Sequence, residues 1–216
     1  MTSHKVVSRE EWVEARKKLL AKEKDFTRAR DALSQERRDL PWERVDKTYV
    51  FEGPNGKETL ADLFAGRHQL IVQHLMFDPG WEAACKSCSF WADGFDGFFV
   101  HLEQRDLAFV AVSLAPFDKL AAFKARMGWK FPWVSSHGSD FNQDFNVSSE
   151  SEERPAISAF YRNEAGALFQ TWGSDGGGDE LLVGALNYLD LLPRGREANA
   201  NGDTEWLRHH DRYAAG

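Results

Sequence analysis

The amino-acid sequence predicts an α/β domain in which a mixed central sheet is flanked by helices. Residues 70–77 and 107–114 are almost continuously apolar, as expected for parallel strands that are covered on both faces. Each of these segments is followed by residues with helical spacing, and a hairpin pattern at 156–172 comes after them. Strands that alternate with helices form sheets with helices packed on the faces, which is the architecture we expect here.

Three regions are expected along the chain: an N-terminal helical extension at 1–40, the α/β domain at 41–193 and a C-terminal tail at 194–216. Ser8 and Glu11 form a capping-box pattern at the start of the extension. Its few apolar residues form a thin stripe, which favours a solvated helical arm; docking on the domain, or on a second subunit to give a homodimer, is the alternative. The stripe consists of Trp12, Leu19, Leu20, Phe26 and Leu33.

The composition argues against several classes of partner. The chain has 216 residues, of which 42% are hydrophobic, and this is enough for a folded core. Lysine and arginine total 27 against 34 aspartate and glutamate, so the formal charge of -7 argues against binding to nucleic acid or to an anionic membrane. No apolar run has the length of a membrane span, and the first residues are polar rather than signal-like, so we expect a cytoplasmic protein.

The entry to the domain is predicted to contain a short strand at 48–51, a turn at 54–56 and one helical turn at 60–64. The first long strand then follows and ends at the Asp-Pro-Gly sequence of residues 78–80. His74 lies inside this strand, where a hydrogen-bonded histidine of the core or edge is more common than a metal ligand.

The middle of the domain alternates between regular elements and a polar segment. Aromatic residues recur every three or four positions from 91 to 102, which predicts a helix despite two glycines. The second long strand is followed by a helix at 117–127 that Gly128 ends, and then by a short extended segment at 131–134. The serine, asparagine and aspartate content of residues 135–153 predicts a surface loop with little regular structure.

The last part of the domain is predicted to be a hairpin and a helix. The hairpin strands are expected at 156–161 and 167–172. The glycine-rich loop at 173–178 lacks the Lys-Ser/Thr ending of a phosphate-binding loop, which argues against nucleotide binding. Asp179 is expected to cap a final helix at 181–192.

Cys85 and Cys88, the only cysteines in the sequence, are the candidate reactive residues. They lie where the first long strand gives way to a helix, and the N–H groups and positive dipole end of a helix start favour a thiolate. In a reducing compartment such a pair is more often catalytic, redox-sensing or metal-binding than structural. In disulfide exchange, Cys85 attacks a protein or small-molecule disulfide and Cys88 resolves the mixed disulfide. Lys86 either lowers the pKa of the thiol electrostatically or is only solvated.

Two other interpretations of the cysteine pair stay open, a metal site and an inert pair. Structural zinc requires four ligands and the sequence has no second Cys-x-x-Cys, so copper held by two thiolates and a histidine is the better metal alternative. The candidate histidines are His74, His137, His209 and His210. The last two reach the pair only if the tail folds back, and surface or capping roles are more common for adjacent histidines. We expect no cofactor and no bound metal.

The order of elements resembles the thioredoxin fold: a strand, Cys-x-x-Cys, a helix, a second strand and helix, and then a proline ahead of a hairpin and a helix. This resemblance implies that Pro155 is a cis-proline beside the cysteine pair, where it presents backbone for a disulfide substrate. The entry at 51–53 and 60–64 is more similar to the peroxiredoxin branch of that superfamily. Arg154 resembles the arginine that supports the thiolate in peroxiredoxins.

A closer resemblance is carried by three segments: 77–92 (FDPGWEAACKSCSFWA), 127–136 (MGWKFPWVSS) and 206–211 (WLRHHD). They are similar to a bacterial thioredoxin-like family labelled as being of unknown function (DUF899-like). The likeness covers about residues 40–213. It implies a thioredoxin-like fold and leaves the reaction open, because a fold alone does not assign an activity.

Departures from the better-known relatives leave three functions to consider. Lys86 and Ser87 replace the Gly-Pro that thioredoxins carry between their cysteines, which keeps the spacing and is expected to change the redox potential. Neither cysteine has the threonine that precedes the attacking cysteine of peroxiredoxins by three residues. The resemblance therefore favours a thiol–disulfide oxidoreductase over a thiol peroxidase, and a non-catalytic binding or copper-handling module is the third alternative.

Overall fold

The computed structural model describes residues 4–148, 153–174, 177, 179–196 and 206–214. The chain consists of two compact units, Met1–Pro41 and Trp42–Gly216. Within the described ranges, no helix has both the length and the apolar character needed to cross a membrane.

The first unit contains one long helix, α1 (Arg9–Arg38), which begins at the predicted capping box. The hydroxyl of Ser8 accepts the N–H of Glu11 at 3.2 Å, and the Glu11 carboxylate accepts the N–H of Ser8 at 3.1 Å. No residue of α1 is buried. Four apolar side chains spaced at seven residues are between 43% and 60% exposed: Trp12, Leu19, Phe26 and Leu33. The homodimer expected through this helix stays a prediction.

Eight strands of the described chain form one mixed sheet in the second unit. They are β1 (Glu43–Val45), β2 (Val50–Gly53), β3 (Gly56–Thr59), β4 (Gln69–His74), β5 (Leu107–Ser113), β6 (Trp133–Ser135), β7 (Ala156–Arg162) and β8 (Leu168–Gly173). Their order across the sheet is β1-β8-β7-β4-β5-β6-β2-β3. The pairs β4–β5 and β5–β6 are parallel, whereas β7 runs antiparallel to both β4 and β8.

Five helices accompany the sheet in the described part of this unit. They are α2 (Lys86–Phe95), α3 (Phe99–Leu102), α4 (Phe117–Met127), α5 (Phe141–Asp144) and α6 (Gly184–Leu189). Short 3-10 turns occur at Asp62–Phe64, Glu103–Arg105, Glu180–Leu182 and His210–Arg212. The order β4–α2–β5–α4, followed by the β7–β8 hairpin and α6, is the thioredoxin-like arrangement that the resemblance implies.

Apolar side chains are buried on both faces of the sheet, as the continuous apolar strands predict. Along β5, Phe109 and Ala111 belong to one buried cluster, and the alternate residues Val110 and Val112 belong to another. Because successive side chains of a strand point to opposite faces, the two clusters lie on opposite sides of the sheet. The first cluster includes Cys88 and side chains of α2 and α4. Each large side chain buried here contributes about 1.5–3 kcal/mol.

His74 is a core histidine, as predicted. Its side chain is 1% exposed, and its Nε2 lies 2.9 Å from the hydroxyl of Ser158 in the neighbouring strand β7. Its ring stacks on Phe141 with 5.5 Å between centroids. Burial lowers the pKa of His74 to about 3, so the ring is neutral in the core.

Buried serine hydroxyls connect the ends of β4, β5 and β6. Ser113 donates to the carbonyl of Leu75 and accepts the indole N–H of Trp133 at 2.9 Å. Ser135 donates to the carbonyl of Ala115 at 2.7 Å. These bonds hold together the segments that follow the parallel strands, and the cysteine pair lies at this edge of the sheet.

The helix predicted at 91–102 is wrong as a continuous element, because α2 ends at Phe95 and α3 starts at Phe99. The interruption has a tertiary cause. The Asp96 carboxylate accepts the N–H of Lys130 at 2.6 Å and that of Phe131 at 3.2 Å, so it holds the turn against the segment before β6.

Two further expectations differ from the structure. The surface loop predicted at 135–153 contains α5 and bears buried residues, among them Phe141 and Asn142, because its aromatic residues fill the second core cluster. The final helix is shorter than 181–192, and Asp179 makes no side-chain cap. Parts of the predicted glycine loop and tail, at 175–176, 178, 197–205 and 215–216, lie outside the described residues.

Candidate functional site

Cys85 occupies the position directly before α2, at the N-terminal end of that helix. Its N–H donates to the carbonyl of Met76 at 2.9 Å, which ties the start of the helix to the segment that leaves β4. The Cys85 side chain is half-buried, while Cys88, one helical turn later, is 2% exposed. Both thiols are free. The pair therefore consists of one half-buried cysteine and one enclosed cysteine.

The environment lowers the pKa of the Cys85 thiol to about 6. The largest cause is a hydrogen bond from the Cys88 thiol, and it outweighs the opposing effect of burial. Cys85 does not form a regular side-chain cap, yet the N–H groups of Ser87 and Cys88 in the first turn also lower its pKa. A further contribution comes from the charge of His209. Cys85 is consequently a thiolate near neutral pH.

The pKa of Cys88 is raised well above its usual value. Its hydrogen bond to Cys85, its burial and the negative charge of Cys85 all favour the protonated thiol. The two cysteines thus share one proton, which Cys88 holds and donates towards the Cys85 sulfur. The attacking role expected for Cys85 and the resolving role expected for Cys88 stay predictions.

Glu153 is a carboxylic acid beside the cysteines that the sequence interpretation missed. Its Oε2 is buried and has no hydrogen-bond partner among the described residues. Burial raises the pKa of Glu153 to about 7, helped by the negative charges of Asp78 and Cys85 and opposed by the N–H of Phe77. Its negative charge also helps to raise the pKa of Cys88.

Nothing in the local sequence distinguishes Glu153 from other acidic residues of a polar segment. The bridge between Ser148 and Glu153 is local, whereas the pairing of Ala156 with His74 joins strands that are far apart in the sequence and brings Glu153 to the cysteines.

Pro155 directly precedes β7, whose first residue, Ala156, pairs with His74 of β4. Continuing this register by one residue aligns Pro155 with Leu75, next to the segment that binds the N–H of Cys85. The cis-proline implied by the resemblance is wrong for this chain, since the described residues contain no cis peptide bond. The Arg154–Pro155 bond has the trans form that most X–Pro bonds adopt. The N–H of Arg154 donates to the carbonyl of Val147 at 2.8 Å.

The charged side chains predicted for the site lie at its surface. Lys86 is exposed in the first turn of α2 and is not among the main causes of the Cys85 pKa shift. The Arg154 side chain is exposed as well. Their roles stay predictions.

The candidate histidines do not converge on the thiols. His74 bonds to Ser158, and His137 Nδ1 lies 3.2 Å from the carbonyl of Leu114. His209 does come close, because the tail folds back and places Nε2 at 2.9 Å from the carbonyl of Ala84. Among the residues that the structure describes, no group of three or more His, Cys, Asp or Glu side chains is arranged to hold a metal ion.

Solved structures with a similar course of the chain include two peroxiredoxins. A mutant of PrxQ from Xylella fastidiosa is 18% identical over 65% of this chain and 88% of its own, with a TM-score of 0.44. The mitochondrial 2-Cys peroxiredoxin from Plasmodium falciparum is 14% identical over 70% of this chain and 96% of its own, also with a TM-score of 0.44. At these values the similarity carries no argument about the reaction.

No curated protein matches the chain. The family model described as "Bacterial protein of unknown function (DUF899)" matches residues 1–213, almost the entire length. Three sequence segments predict this family: one around the cysteines, one after α4 and one in the tail. The chain therefore belongs to the DUF899 family of bacterial proteins.

Proposed function

We propose that this protein is a thiol–disulfide oxidoreductase that uses Cys85 and Cys88. The observation that carries the proposal is the asymmetry of the pair. Cys85 is partly accessible with a pKa lowered to about 6, whereas Cys88 is enclosed and its pKa is raised. A nucleophile that is ionised near neutral pH beside a protonated partner is the combination that disulfide exchange requires.

The proposed cycle begins with attack of the Cys85 thiolate on one sulfur of a substrate disulfide. The substrate S–S bond breaks, its second sulfur leaves as a thiolate, and a mixed disulfide joins Cys85 to the substrate. Cys88 then loses its proton and attacks the Cys85 sulfur. The mixed disulfide breaks and the substrate leaves with both sulfurs reduced. The substrate has gained two electrons, and Cys85 and Cys88 are oxidised to a disulfide.

Glu153 is the group that we assign to accept the proton from Cys88. Its pKa of about 7 suits a carboxylate that exchanges protons near neutral pH, and its buried Oε2 has no partner among the described residues that would compete for that proton. Formation of the mixed disulfide removes the negative charge of Cys85. Loss of that charge lowers the pKa of both Glu153 and Cys88, so Cys88 becomes easier to ionise at the step that needs it.

Insulin reduction with dithiothreitol as electron donor tests the cycle, comparing wild type with Cys85→Ser and Cys88→Ser. We expect turnover in wild type and its loss in both variants. Cys88→Ser is expected to accumulate a mixed disulfide with a chromogenic aromatic disulfide at position 85, detected by mass spectrometry, while Cys85→Ser does not. Ser87→Ala, which changes a side chain between the cysteines and keeps both thiols, is the matched control and is expected to retain turnover. Absence of turnover in wild type contradicts the proposal.

A peroxide assay with the same variants separates this reaction from that of a thiol peroxidase. Peroxidase chemistry would replace the dithiol cycle if three results are found together. Cys88→Ser still consumes peroxide, Cys85→Ser does not, and the wild-type protein does not reduce insulin.

A further inference from the structure

Residues 206–214 of the tail lie against α2 and α4, and we call this segment the C-terminal clasp. Leu207 is 4% exposed, and Trp206 packs edge-on against Phe90 of α2 with 5.9 Å between centroids. Asp211 accepts two hydrogen bonds of 2.8 Å from the guanidinium of Arg126 in α4. A two-fold bond of this kind fixes both position and orientation, so the clasp is fastened at two points.

The two adjacent histidines of the clasp contact different parts of the helix that carries the cysteines. His209 Nε2 lies 2.9 Å from the carbonyl of Ala84, the residue before Cys85, and its ring packs edge-on against Phe123 of α4. His210 Nδ1 lies 2.6 Å from the carboxylate of Asp93, two turns further along. The clasp thus delivers one histidine to the reactive end of α2 and the other to its middle.

The geometry of His209 decides where its protons lie. A carbonyl oxygen only accepts, so Nε2 carries a hydrogen that it donates to Ala84. The other ring nitrogen, Nδ1, is then the atom at which a second proton makes the ring positive, and Ala84 directly precedes Cys85 in the chain. Of the other charged groups near Cys85, Glu153 is acidic and Lys86 is basic and exposed, and Arg126 of α4 is paired with Asp211.

From this placement we infer that His209 is a positioning residue, which the C-terminal clasp holds beside Cys85 so that its positive ring stabilises the thiolate. The inference deepens the proposed function and rests on it for its meaning, since the thiolate is the attacking group of that cycle. The direct contribution of His209 to the lowered pKa of Cys85 agrees with the geometry. Release of the clasp would leave the thiol pair in place with a less reactive Cys85.

Alkylation of Cys85 by iodoacetamide across pH 5–9 measures the thiolate without any turnover. In a Cys88→Ser background, which leaves one thiol, His209→Gln keeps an N–H donor for Ala84 and removes the charge. We expect the midpoint to rise and alkylation at pH 6 to slow about fivefold, the size of effect that one nearby charge at a partly buried site produces. His210→Gln, the matched neighbour, is expected to leave the profile unchanged. Superimposable profiles for His209→Gln and its background would overturn the inference.

Reciprocal coupling supplies a second measurement on chains with an intact clasp. If the His209 charge favours the Cys85 thiolate, the thiolate must favour protonated His209 to the same degree. The NMR shifts of the His209 ring at pH 7 are therefore expected to move towards those of the neutral ring in Cys85→Ser relative to wild type. Equal shifts in the two proteins would refute the inference even if His209→Gln does not fold. If His209→Gln shifts the alkylation profile but the wild-type protein does not reduce insulin, the proposed function is refuted and the role of His209 is supported. If the wild-type protein reduces insulin but the profile does not shift, the role of His209 is refuted and the proposed function is supported.

Discussion

Replacing Cys88 tests the hydrogen bond that dominates the reactivity of Cys85. A thiol with a pKa of about 6 is about 90% ionised at pH 7, whereas one with the ordinary value of 9.0 is about 1% ionised, a difference of about ninetyfold in thiolate. Cys88→Ala removes the largest cause of the lowered value and leaves the opposing burial in place. We therefore expect its midpoint to rise by at least about one unit, equivalent to about 1.4 kcal/mol.

The assay is the rate of iodoacetamide modification of Cys85 against pH, with mass spectrometry to identify the modified residue. Cys88→Ser is the matched control, because a hydroxyl at that position can still donate towards the sulfur. Its midpoint is expected between those of wild type and Cys88→Ala. A wild-type midpoint near 8.5 or above, or a Cys88→Ala profile equal to that of wild type, would refute the explanation of the thiolate by this hydrogen bond.

Three other predictions concern stability and assembly. The pKa of Glu153 is raised from 4.5 to about 7, so its contribution to stability is present below pH 4.5 and is lost as the pH rises through 7. Glu153→Gln should therefore raise the free energy of unfolding at pH 8 by on the order of 1 kcal/mol, a value that allows for solvent screening, and should leave it unchanged at pH 4. Urea titration at the two pH values measures both effects, and equal effects would contradict the prediction. Ser113→Ala should lower the free energy of unfolding by about 2–3 kcal/mol in the same assay at pH 7, because it leaves the Trp133 N–H and the Leu75 carbonyl without their partner. A decrease below about 0.5 kcal/mol would contradict this explanation. If α1 forms a homodimer, light scattering should give twice the chain mass for the wild-type protein and the mass of one chain for Leu19→Asp. A wild-type protein with the mass of one chain would exclude the homodimer.

The long strands and α4 could be predicted because their signals are local. Continuous apolar runs identify β4 and β5, and Gly128 ends α4 in the left-handed conformation that glycine favours. The interruption between α2 and α3 could not be predicted in the same way, because it depends on Asp96 bonding to residues more than 30 positions later. Spacing at three and four residues records which side chains share a face and gives no information on such tertiary bonds.

The candidate site shows the same division. Cys85 and Cys88 are visible in the sequence because their spacing and their place before a helix are local properties. Glu153 and His209 approach them from segments that are 65 or more residues away in the chain. Glu153 stands in no local pattern that indicates chemistry, and His209 could be named as a candidate only on the condition that the tail folds back. The resemblance of residues 206–211 to the family marks the tail as a family feature and says nothing about which residue its histidines contact.

The neutral ring of His74 gives this protein a built-in sensitivity to acid. The pKa of His74 is about 3 in the folded chain, against an ordinary value of 6.5. Between these two pH values the unfolded chain binds a proton at His74 and the native chain does not. As the pH falls below 6.5, the equilibrium shifts towards the unfolded form, and this penalty keeps growing until about pH 3. Mild acidification is therefore expected to lower the free energy of unfolding through a histidine that takes no part in the proposed thiol chemistry.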